Sequence, residues 1–350
     1  MKKLLYIMLL APMMFVACDV HELPEAPEYN KCHLRLKYET DITEWLHKYD
    51  GVSVKEEGIG DTYDNHMVNG KIRYIVRAYP ITTRRNRSVM DYGHTQEFVF
   101  TRDISGSYDH EMTLDLLPGE YNIMVWSDLV GRTGSTPFYD AANFAEIFLQ
   151  GEHSGNNDYR DAFRGTNTIS IVSDIVSRPP DTLDITMQRP LAKFELITND
   201  LEDFIAKEIE YLEQEAATRG EEAPTRVETD NYKVIFFYSG FMPDTYNMNT
   251  DKPVDSSTGV FFESKMDILN EQEASLGFDY VFVNGKNSAV TVQIGVYDNN
   301  ERQLALSNPI DIPLRRSSHT ILKGSFLMQH ASGGITIDSN FDGNHNIIIE

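Results

Sequence analysis

Residues 277–298 read GFDYVFVNGKNSAVTVQIGVYD, and the fold class turns on how they are read. Phe278, Tyr280 and Phe282 alternate ahead of Asn284-Gly285, and Val290, Val292, Ile294 and Val296 alternate behind it. A period of two is the strand signature, because successive side chains point to opposite faces of a sheet. Asn-Gly suits a type I′ turn, whose two central residues need positive φ. The stretch therefore predicts a β-hairpin with one buried face.

The same period continues on both sides of it. AKFELIT (192–198), YKVIFFYS (232–239), GVFFES (259–264), RQLALS (302–307) and HTILKGSFLM (319–328) all read as strands. Asp298-Asn299-Asn300 opens a second hairpin into Gln303–Leu306. One helix interrupts: LEDFIAKEIEYLEQ (201–214) carries Leu201, Phe204, Ile205, Ile209 and Leu212 as a stripe with acids opposite. The acidic segment 216–230 after it lacks apolar periodicity and reads as a mobile loop. The Met- and Tyr-rich connection FMPDTYNMNTDKPVDSS (241–257) reads either as a contact patch or, preferentially, as a loop packed back on the sheets.

Toward the N-terminus the logic repeats. LRLKY (34–38), KIRYIVRAY (71–79), QEFVFT (96–101), EMTLDL (111–116), EYNIMVWS (120–127), NTISIV (167–172) and TLDITM (182–187) are strand-like. Pro118-Gly119 reads as a tight hairpin turn between the fourth and fifth. YDAANFAEIFLQG (139–151) predicts a helix, with Phe144, Ile147 and Phe148 on one face, Asp140 as N-cap and Gly151 as stop. A shorter helix is expected in NDYRDAFRG (157–165). Another is expected in DITEWLHKY (41–49), where Asp41 and Glu44 have capping-box spacing and Ile42, Trp45, Leu46 and Tyr49 share a face. A composition break at SRPPD (177–181) places a boundary near residue 188. The expected fold is mainly β: two tandem β-sandwiches, 31–188 and 189–350, each of about 160 residues and large enough for its own core.

The first 30 residues decide the compartment. Lys2 and Lys3 precede an apolar run, Leu4–Val16, of signal-peptide length and too short for the roughly 20 residues of a spanning helix. Within MMFVACDV (13–20), Val16 and Ala17 stand directly before Cys18 like a bacterial lipoprotein cleavage site, with Phe15 in place of the usual aliphatic residue. Cleavage between Ala17 and Cys18 would make 1–17 a signal peptide and Cys18 the acylated anchor; a plain secretory signal is the alternative. Cys32 is the only other cysteine, so no disulfide framework exists, and a Cys18–Cys32 bridge is the weaker reading. Residues 18–30, acidic and broken by prolines, read as a lipidated tether. Asp19 and Glu22 resemble the acids that follow the lipid cysteine in surface-exported lipoproteins of Bacteroidota.

The chain carries 31 basic and 54 acidic residues; loss of Lys2 and Lys3 leaves 29 against 54, a net charge of −25. Such a surface repels phosphate backbones, which argues against nucleic acid as a partner. It also leaves membrane attachment to the lipid, where two or more acyl chains are needed for stable anchoring.

Catalytic signatures are missing from the sequence: H-E-x-x-H, C-x-x-C, G-x-S-x-G and the P-loop are all absent. Asp338, Asn340, Asp342 and Gly343 match the start of a calcium loop, but position 12 is Ile349 and Glu350 falls one residue late. A polar turn before the terminal strand is the favoured reading. Neither a cofactor nor a metal nor catalytic residues are expected. RRNR (84–87) is a basic spot, either a solvated turn or a site for a trypsin-like protease.

LPGEYNIMVWSD, DYRDAFRG and MQRPLAKFELIT, with the lipid cysteine, together resemble the fimbrillin-like lipoproteins of Bacteroidales, which include pilus subunits and minor anchor subunits. The resemblance covers nearly the whole mature chain. It implies transthyretin-like Greek-key sandwiches, an outer-membrane, cell-surface location, adhesion rather than catalysis, and pilin subunits as partners. It also implies assembly by strand complementation, for which Ile347, Ile348 and Ile349 form a candidate donor strand; the alternative is that they simply end the second sandwich. No arginine lies in the tether, and Arg35 falls inside a strand, which favours an anchor or accessory subunit over a shaft subunit matured by an arginine-directed protease. The competing class is a surface glycan-binding lipoprotein, which should expose an aromatic platform; Trp45 and Trp126 both fall on apolar faces.

Overall fold

The computed structural model describes residues 29–39, 42–48, 60–61, 71–84, 87–103, 108–130, 136–172, 180–224, 226–284 and 287–329. The first strands are β1 (Asn30–Tyr38), β2 (Ile42–Lys48), β3 (Gly60–Asp61), β4 (Lys71–Arg84), β5 (Arg87–Met90) and β6 (Gln96–Asp103). They are followed by β7 (His110–Leu116), β8 (Gly119–Val130), β9 (Tyr139–Asp140), β10 (Ile147–Leu149), β11 (Ala162–Ile171) and β12 (Asp181–Met187). Then come β13 (Leu191–Thr198), the helix α1 (Leu201–Arg219), β14 (Tyr232–Tyr238), β15 (Met242–Asn247), β16 (Lys252–Ser257) and β17 (Phe261–Ser264). The last are β18 (Asp267–Ile268), β19 (Ala274–Phe282), β20 (Asn287–Asp298), β21 (Gln303–Leu306), β22 (Ile310–Arg315) and β23 (Ser318–Gly324).

Two pairs of sheets enclose two cores. In the first half, β12-β1-β7 faces β11-β8-β4, with β5 and β6 both pairing β4. Cys32, Leu34 and Leu36 from β1 meet Tyr74, Val76 and Ala78 from β4 and Ile123 and Val125 from β8, all buried. The β1 pattern is strictly alternating, with His33, Arg35 and Lys37 outward. Arg35 Nε donates to Asp184 on the neighbouring strand at 2.6 Å. In the second pair, β18-β19-β13-β23-β2-β3 faces β17-β14-β20, to which β21 and β22 are joined through β20; its strands come from the second half of the chain except β2 and β3, which the first half contributes. Phe194 and Leu196 pack there against Val234, Phe236, Val292 and Ile294. The apolar stripe of α1, Leu201, Phe204, Ile205, Ile209 and Leu212, lies on that core.

The helix ends where Gly220 adopts φ 69° and its N–H caps the carbonyls of Ala216 and Ala217. It therefore takes in the first residues of the segment read as a loop. The connection 241–257 forms the hairpin β15–β16 and packs back as expected, with Met242, Tyr246 and Met248 buried. The turn at Asp298–Asn300 does join a hairpin, β20 to β21. Arg84 and Arg87 are register partners at the ends of β4 and β5, which pair antiparallel.

Five expectations are corrected. Residues 42–48 form a strand, in place of the helix drawn over 41–49: β2 runs parallel to β23 and pairs β3 on its other side, and branched and aromatic residues favour the extended backbone. Residues 139–151 form the short strands β9 and β10 around a turn, because Tyr139 and Ile147 are taken into a four-stranded sheet with β15 and β16. Of the short helix in 157–165 only the 3-10 turn Asp158–Arg160 exists. Finally, the two strands flanking Pro118-Gly119 lie in different sheets, as do β19 and β20 on either side of Asn284. At both places the chain crosses from one layer of a sandwich to the other, where a hairpin was expected. Both flanking strands still bury apolar residues, and alternation cannot tell a partner beside a strand from one across the core.

Candidate functional site

The sequence-derived site residues, Ala17 and Cys18 at the cleavage point, Asp338–Asp342 and the Ile347–Ile349 strand, lie outside the described residues. What the fold brings together instead is a seam between the two sandwiches. The outer face of β4 and β8 supplies Ile75, Tyr79, Met124 and Trp126. Against it stand Tyr139 and Ile147 from the first half and Leu191, Tyr246, Tyr280 and Phe282 from the second. Trp126 is fully buried between Tyr139 and Tyr246, with ring centroids at 5.5 and 6.3 Å. It is thus unavailable as an exposed stacking platform.

Three carboxylates are buried at or beside this seam, each with an arginine. Asp279 on β19 is 1% exposed. It accepts hydrogen bonds from Tyr238 Oη at 2.6 Å, from the Tyr280 backbone N–H at 2.7 Å, from His153 Nε2 at 2.6 Å and from Arg160 Nη1. Arg160 comes from the other half and also donates Nη2 to the Tyr280 carbonyl at 2.9 Å. Burial alone would raise the Asp279 carboxyl. The Arg160 guanidinium, His153 and the Tyr238 hydroxyl together hold it below the ordinary carboxylate range. Beside it, Arg189 Nε donates to Asp161 at 2.9 Å, and Arg73 Nε donates to Asp128 at 2.8 Å. For these two carboxyls burial prevails over the arginine and the value is raised. Burial, and then the Asp279 charge, push the Tyr238 hydroxyl well above its usual range.

The loop 151–157 carries His153 across the seam. The Asn156 N–H donates to the Phe278 carbonyl at 2.7 Å. Gly155 lies so close to the Phe262 ring that a Cβ there would stand 2.3 Å from it, so only glycine fits. The His153 ring sits edge-on to Tyr238 at 5.7 Å between centroids. Lys193 Nζ bridges to Asp158 at 3.1 Å and lies 3.8 Å above the Phe278 ring. A carboxylate saturated by four donors is an anchor for its neighbours, and its chemistry here is to hold two folded units in register. Among the described residues no group of three His, Cys, Asp or Glu side chains is arranged to hold a metal ion.

Next to His153 the seam opens into a groove of about 630 Å³, lined by Leu149, Glu152, Met242, Asp244, Phe261 and Glu263 among others. Sequence reading missed these residues. Asp279 sits between Phe278 and Tyr280, where alternation assigns it to solvent, and a lone acid inside an apolar strand was the available signal.

A protein family matches residues 13–350, and the chain belongs to it: it is described as a family of unknown function (DUF6562). None of the curated proteins matches the chain in sequence. Among solved structures the chain is similar to a candidate adhesin from Bacteroides ovatus, at 12% identity and TM-score 0.41, covering 85% of this chain and 88% of that one. It is similar to the fimbrial anchor protein Mfa2 from Porphyromonas gingivalis, at 10% identity and TM-score 0.38, covering 79% and 82%. It is also similar to a candidate polysaccharide-binding protein from Bacteroides thetaiotaomicron, at 11% identity and TM-score 0.39, covering 79% and 80%.

Proposed function

We propose that the protein is a lipid-anchored, fimbrillin-like cell-surface protein of the outer membrane. It serves as an anchor or accessory subunit in pilus assembly and adhesion, joins its partners by strand complementation and has no catalytic activity. The observation that carries the anchoring is Cys18, placed directly after a short apolar run and before an acidic, proline-broken tether. The resemblance of the segments around LPGEYNIMVWSD and MQRPLAKFELIT carries the pilus role. Two sandwiches, built mainly from 31–188 and from 189–350, would follow the tether, with β2 and β3 of the first stretch completing a sheet of the second. The buried ion cluster at the seam suits such a role, since a subunit between membrane and fibre must transmit force from one half to the other.

Two experiments test the reading. Cys18→Ala should release the protein or stall it as an unprocessed precursor, whereas membrane retention of a fully processed Cys18→Ala chain contradicts it. Mild detergent extraction of the wild type should bring assembled pilin subunits with it; recovery of a lone monomer contradicts the anchor role. Glycan binding is the second reading, favoured by the exposed Phe148, Phe241 and Phe261. Retardation on a glycan panel in affinity electrophoresis would put it ahead of the pilus reading.

A further inference from the structure

The groove beside His153 combines three features. First, it follows an open sheet edge. Five consecutive residues, Gly259–Glu263, line it, and β17 pairs only with β14 among the described strands. The Tyr238 N–H donates to the Val260 carbonyl at 2.9 Å, which sets the alternation of this antiparallel pair. Phe236 then bonds across to Phe262, and the main-chain groups of Phe261 and Glu263 point to the open side. Second, its lining is acidic. Glu152, Asp244 and Glu263 line it, no lysine or arginine among the described residues does, and the one basic ring there, His153, is turned onto the buried Asp279. Asp244 is engaged by Ser257 and, at 3.0 Å, by Thr245 Oγ1. Glu263 feels Lys233, whose ammonium is already held by Glu301 at 2.7 Å. Third, Phe261 is 54% exposed and stands 6.3 Å from Phe237, an aromatic surface of the kind over which a cation settles favourably.

We propose that this groove binds an extended peptide segment carrying lysine or arginine. The segment adds as a strand along the open edge of β17 and sets a cationic side chain among Glu152, Asp244 and Glu263. A free amine would satisfy the carboxylates but not the outward main-chain groups, and an acidic or neutral strand would leave the carboxylates unpaired. The inference goes beyond the pilus reading and does not depend on it. That reading concerns Cys18 and the terminal isoleucines, while this one concerns a site in the second half.

The test uses the folded mature protein and a fluorescein-labelled peptide of alternating lysine and valine, followed by fluorescence anisotropy. Saturable binding that weakens with salt is expected, and a glutamate–valine peptide should not bind. Glu152→Gln with Glu263→Gln should weaken binding about tenfold. Glu213→Gln with Glu221→Gln, which removes the same charge from the exposed helix end, should not. Phe261→Pro deletes an outward N–H without touching the ladder to β14, and should also abolish binding. Equal loss in the two charge variants would reduce the effect to the overall field of an acidic protein. Undiminished binding to Phe261→Pro would assign the groove to a bare cation. Either result, or no binding by the wild type, overturns the proposal; thermal melts of each variant show that the fold is retained.

Discussion

The first sandwich core and the seam are built on opposite principles. Between β1 and β4 the buried residues are Cys32, Leu34, Leu36, Tyr74 and Val76, and the charges of β1 all face outward. At the seam Arg160, Arg189, Asp128, Asp161 and Asp279 are each no more than 2% exposed. An apolar core draws its stability from area removed from water and tolerates any residue of suitable size. A buried ion cluster contributes little net stability, but it punishes the loss of any one member, because the partner is left charged and unpaired. The core therefore makes each half fold, and the seam fixes which way the halves face each other.

That contrast can be broken by mutation. Asp279→Ala strands Arg160 and should cost about 3–5 kcal/mol in chemical denaturation. Leu34→Ala in the first core should cost about 3 kcal/mol, through lost transfer energy and the cavity left behind. If Asp279→Ala proves nearly neutral, the cluster is not what joins the halves.

The two regions should also answer differently to pH and to reagents. Asp279 has its folded value held below the unfolded one, so its contribution is full above the unfolded value and is lost as pH falls through the folded value. Asp279→Asn should accordingly narrow its stability deficit relative to wild type as the pH drops below about 4. Urea midpoints over an acid series read this out; a constant deficit contradicts it. In the first core, burial and then the Asp181 charge push the Cys32 thiol up to about 11. Cys32 should therefore react with an aromatic disulfide reagent only on unfolding. Smallest of all, Lys31→Ala breaks a pair exposed on both sides, Lys31 with Asp115 at 3.4 Å. It should change stability by less than about 0.5 kcal/mol.

Much of the β architecture was legible in the sequence, and its partnerships were not. Every period-two run quoted above within the described residues lies in or overlaps a strand, because side-chain alternation is imposed by a single buried face. The Asp298–Asn300 turn signal suffices on its own, since its strands β20 and β21 pair directly. Asn284-Gly285 and Pro118-Gly119 carry equally good turn chemistry but send the chain across the core. Which of the two happens is decided by where the remaining strands lie, and a local dipeptide has no access to that. Tyr139–Gly151 failed for a related reason. Its apolar residues satisfy a helical face, but β10 is paired by β15 from the other half of the chain, so tertiary pairing overrode the local pattern. The seam charges were hidden because alternation assigns every second residue to water. In β19 both faces are covered, with Asp279, Tyr280, Val281 and Phe282 all buried in succession.

The claim that the seam makes the two sandwiches one unit is tested most directly by scanning calorimetry of the wild-type chain beside Asp279→Ala. A single cooperative transition in the wild type that splits into two in the variant is the result expected here. Two separate transitions in the wild type, or one unchanged transition in the variant, would contradict it.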